Sequence, residues 1–213
     1  MAIKNVIAVS ACLKRCSIAI SYEGALHETN ENVNAAADLV GLANDLIKSS
    51  HIDLQKIEGI ITTSGPGSFT GIRVAQSFAK GLAMTLRTQA MCVSYFDVIR
   101  HMVISSGKSF PTDTERTVAV LIKSDEDNYM YGQTGCGVDF YGPIESFRIE
   151  NETILAGDAV NDFCQKKPYL SNTKSKIFIS DFRKASCLLP LFLRSSPGSQ
   201  MRPLYLVKQQ QYA

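Results

Sequence analysis

Residues 61–83, ITTSGPGSFTGIRVAQSFAKGLA, decide the fold. They read as the end of a buried strand, a loop of Gly65-Pro66-Gly67-Ser68-Phe69-Thr70-Gly71, and a helix that begins as the loop ends. A strand running through a glycine loop into a helix is the usual place for phosphate, because free backbone N–H groups at a helix N-terminus favour an anion. The spacing fits none of the common chemistries. A P-loop requires G-x-x-x-x-G-K-[ST], and no Lys-Ser/Thr pair follows Gly71. A dinucleotide fingerprint requires G-x-G-x-x-G, and Gly65, Gly67 and Gly71 leave one residue too many. A nucleophile elbow requires G-x-S-x-G, and Ser68 stands one place early. The loop is therefore expected to be structural. Gly65 and Gly67 give backbone freedom around Pro66. Ser68 or Thr70 caps the helix, worth about 1 kcal/mol. Phe69 anchors the loop in the core, and Arg73 is directed either to solvent or to a carboxylate or phosphate.

Working outward, IEGIITTS (57–64) is the buried strand and residues 70–87 the helix. Upstream, KNVIAVSA (4–11), RCSIAISY (15–22) and EGALHETNE read as a three-stranded meander. ENVNAAADLVGLANDLIKSS places Ala36, Leu39, Val40, Ala43, Leu46 and Ile47 at helical spacing, an amphipathic helix over 33–49 of about four turns. Downstream, QAMCVS is a strand and YFDVIRHMVISS a helix. The polar stretch SGKSFPTDTER (106–116) marks a lobe boundary. Past it, TVAVLIKSD, NYMYGQTG and YGPIESFRIE read as strands, and ILAGDAV and KIFISDF as short buried ones. No internal sequence repeat is evident. The expectation is an α/β chain of two unequal lobes, residues 1–106 and 107–213.

The two N-terminal helices are unusual in each having two apolar faces. In the second, Ala75, Ala79 and Ala83 form a ridge without bulk beside Ile72, Phe78, Leu82 and Leu86. In the first, Ala36 or Ala37, Gly41 and Asn44 form a shallow stripe beside Leu39, Val40 and Ile47. One face of each is expected inward and one toward a partner. The candidate interface is Ala36, Leu39, Val40, Ala43, Ile47, Ile72, Ala75, Phe78, Ala79, Leu82 and Ala83. On that expectation Ala79→Arg abolishes assembly and leaves the monomer folded.

The 213 residues, 45% hydrophobic and 20% charged, suffice for a real core. With 22 Lys and Arg against 20 Asp and Glu the net charge is +2, so no global field steers nucleic acid or an anionic membrane. Cys12, Cys16, Cys92, Cys136, Cys164 and Cys187 are scattered among apolar runs. They are expected to be reduced, mostly buried thiols of a cytoplasmic protein. Lys14 and Arg15 interrupt the first apolar run, which reads as strand and turn rather than a signal peptide. No stretch approaches the eighteen or so apolar residues of a membrane span.

The segment SGPGSFTGIRVAQSFAKGLA closely resembles the signature of the TsaB/YeaZ family. VIAVSACLKRCSIAI resembles the opening strand pair of that family, including Cys16-Ser17, and RPLYLV its closing P-x-Y-L. The resemblance is specific over residues 6–95 and loose beyond. It implies the two-lobed actin/Hsp70/sugar-kinase (ribonuclease H-like) fold with a reduced C-terminal lobe. It also implies a non-catalytic subunit of the bacterial machinery that makes threonylcarbamoyladenosine in tRNA. That subunit partners and activates a catalytic TsaD-like paralogue through the N-terminal helices and forms a homodimer when alone. A TsaE-like ATPase completes the complex, tRNA is reached only through it, and no membrane is involved. The glycine loop, with Gly65, Pro66, Gly67, Ser68, Phe69, Thr70, Gly71 and Arg73, is then architectural. No catalytic residue, metal ligand or cofactor is assigned to the chain itself, and any nucleotide lies at the partner interface.

Three departures stand out. Members usually carry Asp-Thr-Ser at the end of the first strand, where this chain has Ser10-Ala11-Cys12, without a carboxylate to hold Mg²⁺. Ala35-Ala36 replaces His-Ser at the start of the first helix, and Lys123-Ser124-Asp125-Glu126 replaces Asp-Ala-Arg-Arg. A phosphotransferase of the same fold would have to draw its acidic site from Asp125, Asp127, Asp158 or Asp181. A peptidase would have to draw on His27, His51 and His101, which show no zinc-binding spacing. A stand-alone homodimeric interaction protein would use the same helices.

Overall fold

The structure, a computed structural model, describes residues 5–11, 16–31, 35–105, 118–123, 129–133, 139–143, 154–166, 176–178 and 182–192. They fall into two compact units. One holds the residues up to Val98 together with 182–192, the other the residues from Ile99 to Phe178.

The first unit is built on five strands: β1 (Val6–Ser10), β2 (Cys16–Tyr22), β3 (Ala25–Glu31), β4 (Gly59–Gly65) and β5 (Gln89–Ser94), in the order β3-β2-β1-β4-β5. The first three form the expected antiparallel meander, with Val6 opposite Ser21 and Ser10 opposite Ser17. β4 and β5 run parallel to β1. Two helices supply the crossovers: α1 (Ala35–Ser49) and α2 (Phe69–Leu86). They pack side by side, α1 over β2 and β3 and α2 over β4, β5 and β1.

Strand alternation divides the residues between two faces of the sheet. Ile7, Val9, Ile18, Ile20 and Ile60 form one core with Leu39, Ala43, Ala75, Ala79 and Ala83 of the helices. Each of the large side chains in it contributes about 1.5–3 kcal/mol on burial. The opposite face carries Ala8, Ser10, Ser17, Ala19, Ile61 and Thr63, all fully buried. A short 3₁₀ turn (Ala185–Leu188) and α5 (Leu189–Phe192) lie against it. The small Ala and Ser side chains of β1 and β2 let that segment's backbone come within hydrogen-bonding distance of the sheet.

Both crossover helices stop in the same way. His51 and Arg87 take left-handed backbone conformations, with φ of 53° and 54°. The next N–H bonds back to the last turn, Ile52 N to Ile47 O and Thr88 N to Ala83 O, each at 3.0 Å. This is the closing geometry that glycine usually provides. α3 (Tyr95–Ser105) starts directly after β5. Ser94 Oγ accepts from Asp97 N at 3.1 Å, capping the helix, and donates to the Asp97 carboxylate at 2.9 Å.

The second unit repeats the strand order of the first. β6 (Val118–Lys123), β7 (Tyr129–Gln133), β8 (Asp139–Gly142), β9 (Ile154–Gly157) and β10 (Lys176–Phe178) lie in the order β10-β9-β6-β7-β8. β6, β7 and β8 are an antiparallel meander, and β9 and β10 are parallel to β6. The helix α4 (Val160–Lys166) buries Val160 and Phe163 against Ala119, Leu121 and Leu155. The structural repeat left no mark in sequence that could be read as one. Of the segment YGPIESFRIE, Tyr141 and Gly142 are in β8, and 144–150 lie outside the described residues.

No helix among the described residues is long and apolar enough to cross a membrane. Cys16 is buried, whereas Cys92, Cys164 and Cys187 are only partly so, and none of the four is in a disulfide. The expectation of mostly buried thiols therefore holds for Cys16 alone of these. Cys12 and Cys136 lie outside the described residues.

Candidate functional site

The glycine loop carries the chain from β4 to α2. Thr63 Oγ1 accepts from Gly65 N at 3.0 Å, and the register between β4 and β5 shifts between Thr63 and Gly65. Gly65 has φ of 112°, a conformation open to glycine without strain. The Gly65-Pro66 peptide is cis, and Gly65, Pro66 and Gly71 are buried. Of the two candidate caps it is Ser68 that acts: its Oγ accepts from Gly71 N at 3.3 Å. Thr70 is exposed.

Phe69 does not anchor the loop in the core. It is 51% exposed, and the Arg73 guanidinium lies 3.8 Å from its ring centroid. The cause is helical phase: Ile72, Ala75 and Ala79 face the sheet, and Phe69 lies well round the helix from their midline. Arg73 is exposed, one of the two options open for it, and its guanidinium also lies over an aromatic face.

The candidate interface residues divide by exposure. Leu39, Ala43, Ile72, Ala75, Ala79 and Ala83 are at most 5% exposed and belong to the core of their own unit. Ile47, Phe78 and Leu82 are half-buried along its margin. Val40, 68% exposed, is the large apolar residue of α1 that points to solvent. The side chain of Ala36 lies outside the described residues. The alanine ridge is thus a seat for the helix on its sheet, so Ala79→Arg would put a charge in the core rather than probe a surface.

The outer faces hold other residues. Gly41 and Asn44 on α1 and Gly81 and Met84 on α2 are exposed, Met84 by 81%. A Cβ built at Gly41 or Gly81 meets nothing within 4 Å. Gly81 and Met84 went unnoticed in the sequence because the alanine ridge beside them gave the stronger pattern.

The end of β1, where the resemblance called attention to a missing aspartate, is closed by the chain itself. Ser10 is fully buried, and its Oγ donates to the Arg183 carbonyl at 3.0 Å and accepts from Tyr95 Oη at 2.5 Å. Tyr95 is also buried and meets Phe182 edge to face, ring centroids 5.3 Å apart. Beside it, Ser17 Oγ accepts from Ala185 N and donates to the Thr29 carbonyl, both at 3.0 Å. The Glu28 carboxylate accepts from Ser186 N at 3.0 Å and Ser186 Oγ at 2.9 Å.

Of the acidic candidates, Asp158 accepts from Lys123 N at 2.9 Å, while Asp125, Asp127 and Asp181 lie outside the described residues. His101 lies 3.3 Å from Ser105 Oγ, and His51 is exposed in the turn after α1. Among the described residues no group of three His, Cys, Asp or Glu side chains is placed to hold a metal.

The family described as TsaD, tRNA N6-adenosine threonylcarbamoyltransferase, matches residues 33–131. A protein named tRNA threonylcarbamoyladenosine biosynthesis protein TsaB, from Buchnera aphidicola subsp. Baizongia pistaciae, is 28% identical over 86 residues, 39% of each chain. The Haemophilus influenzae protein of that name is 29% identical over 37% of this chain and 34% of its own. The Fervidobacterium nodosum tRNA N6-adenosine threonylcarbamoyltransferase is 34% identical over 39% of this chain and 23% of its own. The alignment with the first of these spans about two fifths of that relative's length. In fold, YeaZ from Pseudomonas aeruginosa superposes with a TM-score of 0.70 at 22% identity, covering 95% of this chain and 100% of that one. The α/β fold is thus that of the YeaZ structure. The chain is similar in sequence, over part of its length, to TsaB-named relatives and in fold, over nearly all of it, to YeaZ.

Proposed function

We propose that this chain is a non-catalytic partner of a TsaD-like threonylcarbamoyltransferase in threonylcarbamoyladenosine modification of tRNA, docking through the outer faces of α1 and α2. The observation that carries the reading is the pair of adjacent helices with both apolar and open positions on their outer sides. Val40 and Met84 are 68% and 81% exposed, and Gly41 and Gly81 have open space where a side chain would stand. Large exposed apolar groups beside positions without side chains allow another helix to approach closely. The names of the TsaB relatives support the tRNA modification role.

The closed end of β1 supports a non-catalytic role. The Ser10 hydroxyl is bonded to Tyr95 and Arg183 within the chain. In this reading the partner supplies the nucleotide site, the metal and the chemistry. A TsaE-like ATPase joins the complex, tRNA is met only in it, and the chain alone pairs with a second copy through the same helices. Light scattering after size exclusion tests the reading, with the chain alone and mixed with the TsaD homologue of its own organism. Formation of a heterocomplex by the wild type, lost in Gly81→Arg, is the expected result. Tight ATP binding by the chain alone without a complex would replace this reading by the phosphotransferase.

A further inference from the structure

Residues 59–96 contain no Asp or Glu, although the chain has 20 of them. The cations within that run are Arg73, Lys80 and Arg87. Helical geometry puts the first two on one face of α2, two turns and about 10.5 Å apart, with Arg87 following at the end of the helix. Phe69, Ser77 and Met84 interleave with them at steps of three and four residues, so the six make one continuous stripe. All six are exposed. The stripe lies about a quarter turn from the face formed by Ile72, Ala75, Ala79 and Ala83, which is buried in the core.

The stripe has the composition of a contact surface with one sign of charge. No carboxylate of α2, β4 or β5 lies along it, so the charge these elements present is of one sign and complements a surface of opposite sign. The apolar residues among them are large and adaptable: Met84 is 81% exposed and Phe69 51%. By contrast the outer side of α1 mixes Asp45 with Lys48.

We infer that the α2 stripe docks on an acidic protein surface, a helix whose Asp and Glu side chains flank small apolar residues. This rests on the docking role proposed above for α1 and α2 and names the chemistry of the surface they meet. A protein is favoured over RNA by the apolar residues between the cations. The Phe69 ring also has Arg73 stacked on it at 3.8 Å rather than presenting that face to a base.

The test measures binding of the full chain to the TsaD homologue of its own organism at 50 and 300 mM NaCl. It compares wild type, the neutral variant Arg73→Gln/Lys80→Gln/Arg87→Gln and the reversed variant Arg73→Glu/Lys80→Glu/Arg87→Glu. Circular dichroism verifies that each is folded. Wild-type affinity is expected to fall about 10-fold with salt, the neutral variant to lose most of that dependence, and the reversed variant to bind roughly 100-fold more weakly. A complex indifferent to salt and to charge reversal overturns the inference and leaves the docking role standing. Where wild type does not bind the homologue at all, the docking role fails. The stripe is then read with a synthetic Glu-rich amphipathic helix: amide shift changes clustered at residues 69–87 uphold the inference, and their absence overturns it. Binding of a tRNA transcript by the chain alone, lost on charge reversal, overturns it in favour of an RNA surface.

Discussion

Gly59 opens β4 on the face of the sheet that residues 182–192 cover, and a side chain there would collide with Phe192. A Cβ built on Gly59 overlaps Cζ of the ring and stands 2.9 Å from Cε1. Phe192 is itself only 3% exposed, so the ring has little room to retreat. Gly59→Ala therefore forces either local strain, about 1–3 kcal/mol for an overpacked core, or expulsion of the ring, about 3–5 kcal/mol as for a buried Phe→Ala. Lower entropy of the unfolded chain returns about 0.5–1 kcal/mol. The net expectation is a loss of about 2 kcal/mol, read as a lower urea midpoint. The decisive measurement is the double-mutant cycle. In a Phe192→Ala background the new methyl fills part of the space vacated by the ring, so Gly59→Ala should cost nothing there. A coupling of about 2 kcal/mol follows, well above the roughly 0.5 kcal/mol seen between independent sites. Equal costs in both backgrounds would refute the packing of this segment on the first sheet.

Four further outcomes follow from the structure. Ala79→Arg, at a fully buried position, should leave the chain largely unfolded by circular dichroism, since an unpaired charge in a core costs more than about 4 kcal/mol. Gly81→Arg, at an open helical position, should instead raise stability by about 0.5–1 kcal/mol, read as a higher urea midpoint, as glycine leaves the helix interior. Glu28→Ala removes the acceptor of Ser186 N and Oγ and should cost about 1–3 kcal/mol, with faster amide exchange confined to residues 183–188; Glu28→Gln, which keeps one acceptor, should cost less. Lys56 bonds the Glu23 carboxylate at 2.7 Å, which holds its amine above the ordinary 10.5. Any stability from that pair is fully present below pH 10.5 and is lost as pH rises through the raised value. The Lys56 amine should therefore titrate above 10.5 by NMR and return toward it in 1 M salt, because the pair is exposed.

The elements of the first sheet were legible because their signals are local. β5 falls on QAMCVS as read, and α1 and α2 begin within two residues of their expected starts. Periodicity also detected that the helices carry apolar residues on more than one side. It could not tell which stripe meets the sheet, because alanine serves equally well as a close seat inside a fold and as a surface open to another helix. The wheel alone leaves Ala79 and Gly81 equally eligible, and only the position of β4 beneath α2 decides between them. Residues 182–192 were not legible as part of the first unit at all. Their contact with Ser10, Ser17 and Glu28 spans more than 150 positions in sequence and depends on backbone groups, which leave no side-chain pattern.

The same contact bears on the proposal that the outer faces of α1 and α2 dock a partner. Ligands of open α/β sheets gather outside the carboxyl ends of the strands, where the strand order reverses. In the first sheet that point is the end of β1, between the antiparallel β2 and the parallel β4. Here it holds a buried hydroxyl, not a carboxylate, and that hydroxyl bonds a tyrosine and a main-chain carbonyl from the returning segment. Opening the position to a phosphate would expose Tyr95 and Phe182, leave Ser10 Oγ without these partners and Ala185 N without Ser17 Oγ, and gain no charge to hold a metal. Each lost hydrogen bond costs about 1–3 kcal/mol while its groups stay buried. A ligand at that point would have to offset several such costs before binding at all. A partner on the outer faces of α1 and α2 meets no such barrier, since Val40 and Met84 are already in water and Gly41 and Gly81 leave room for its approach.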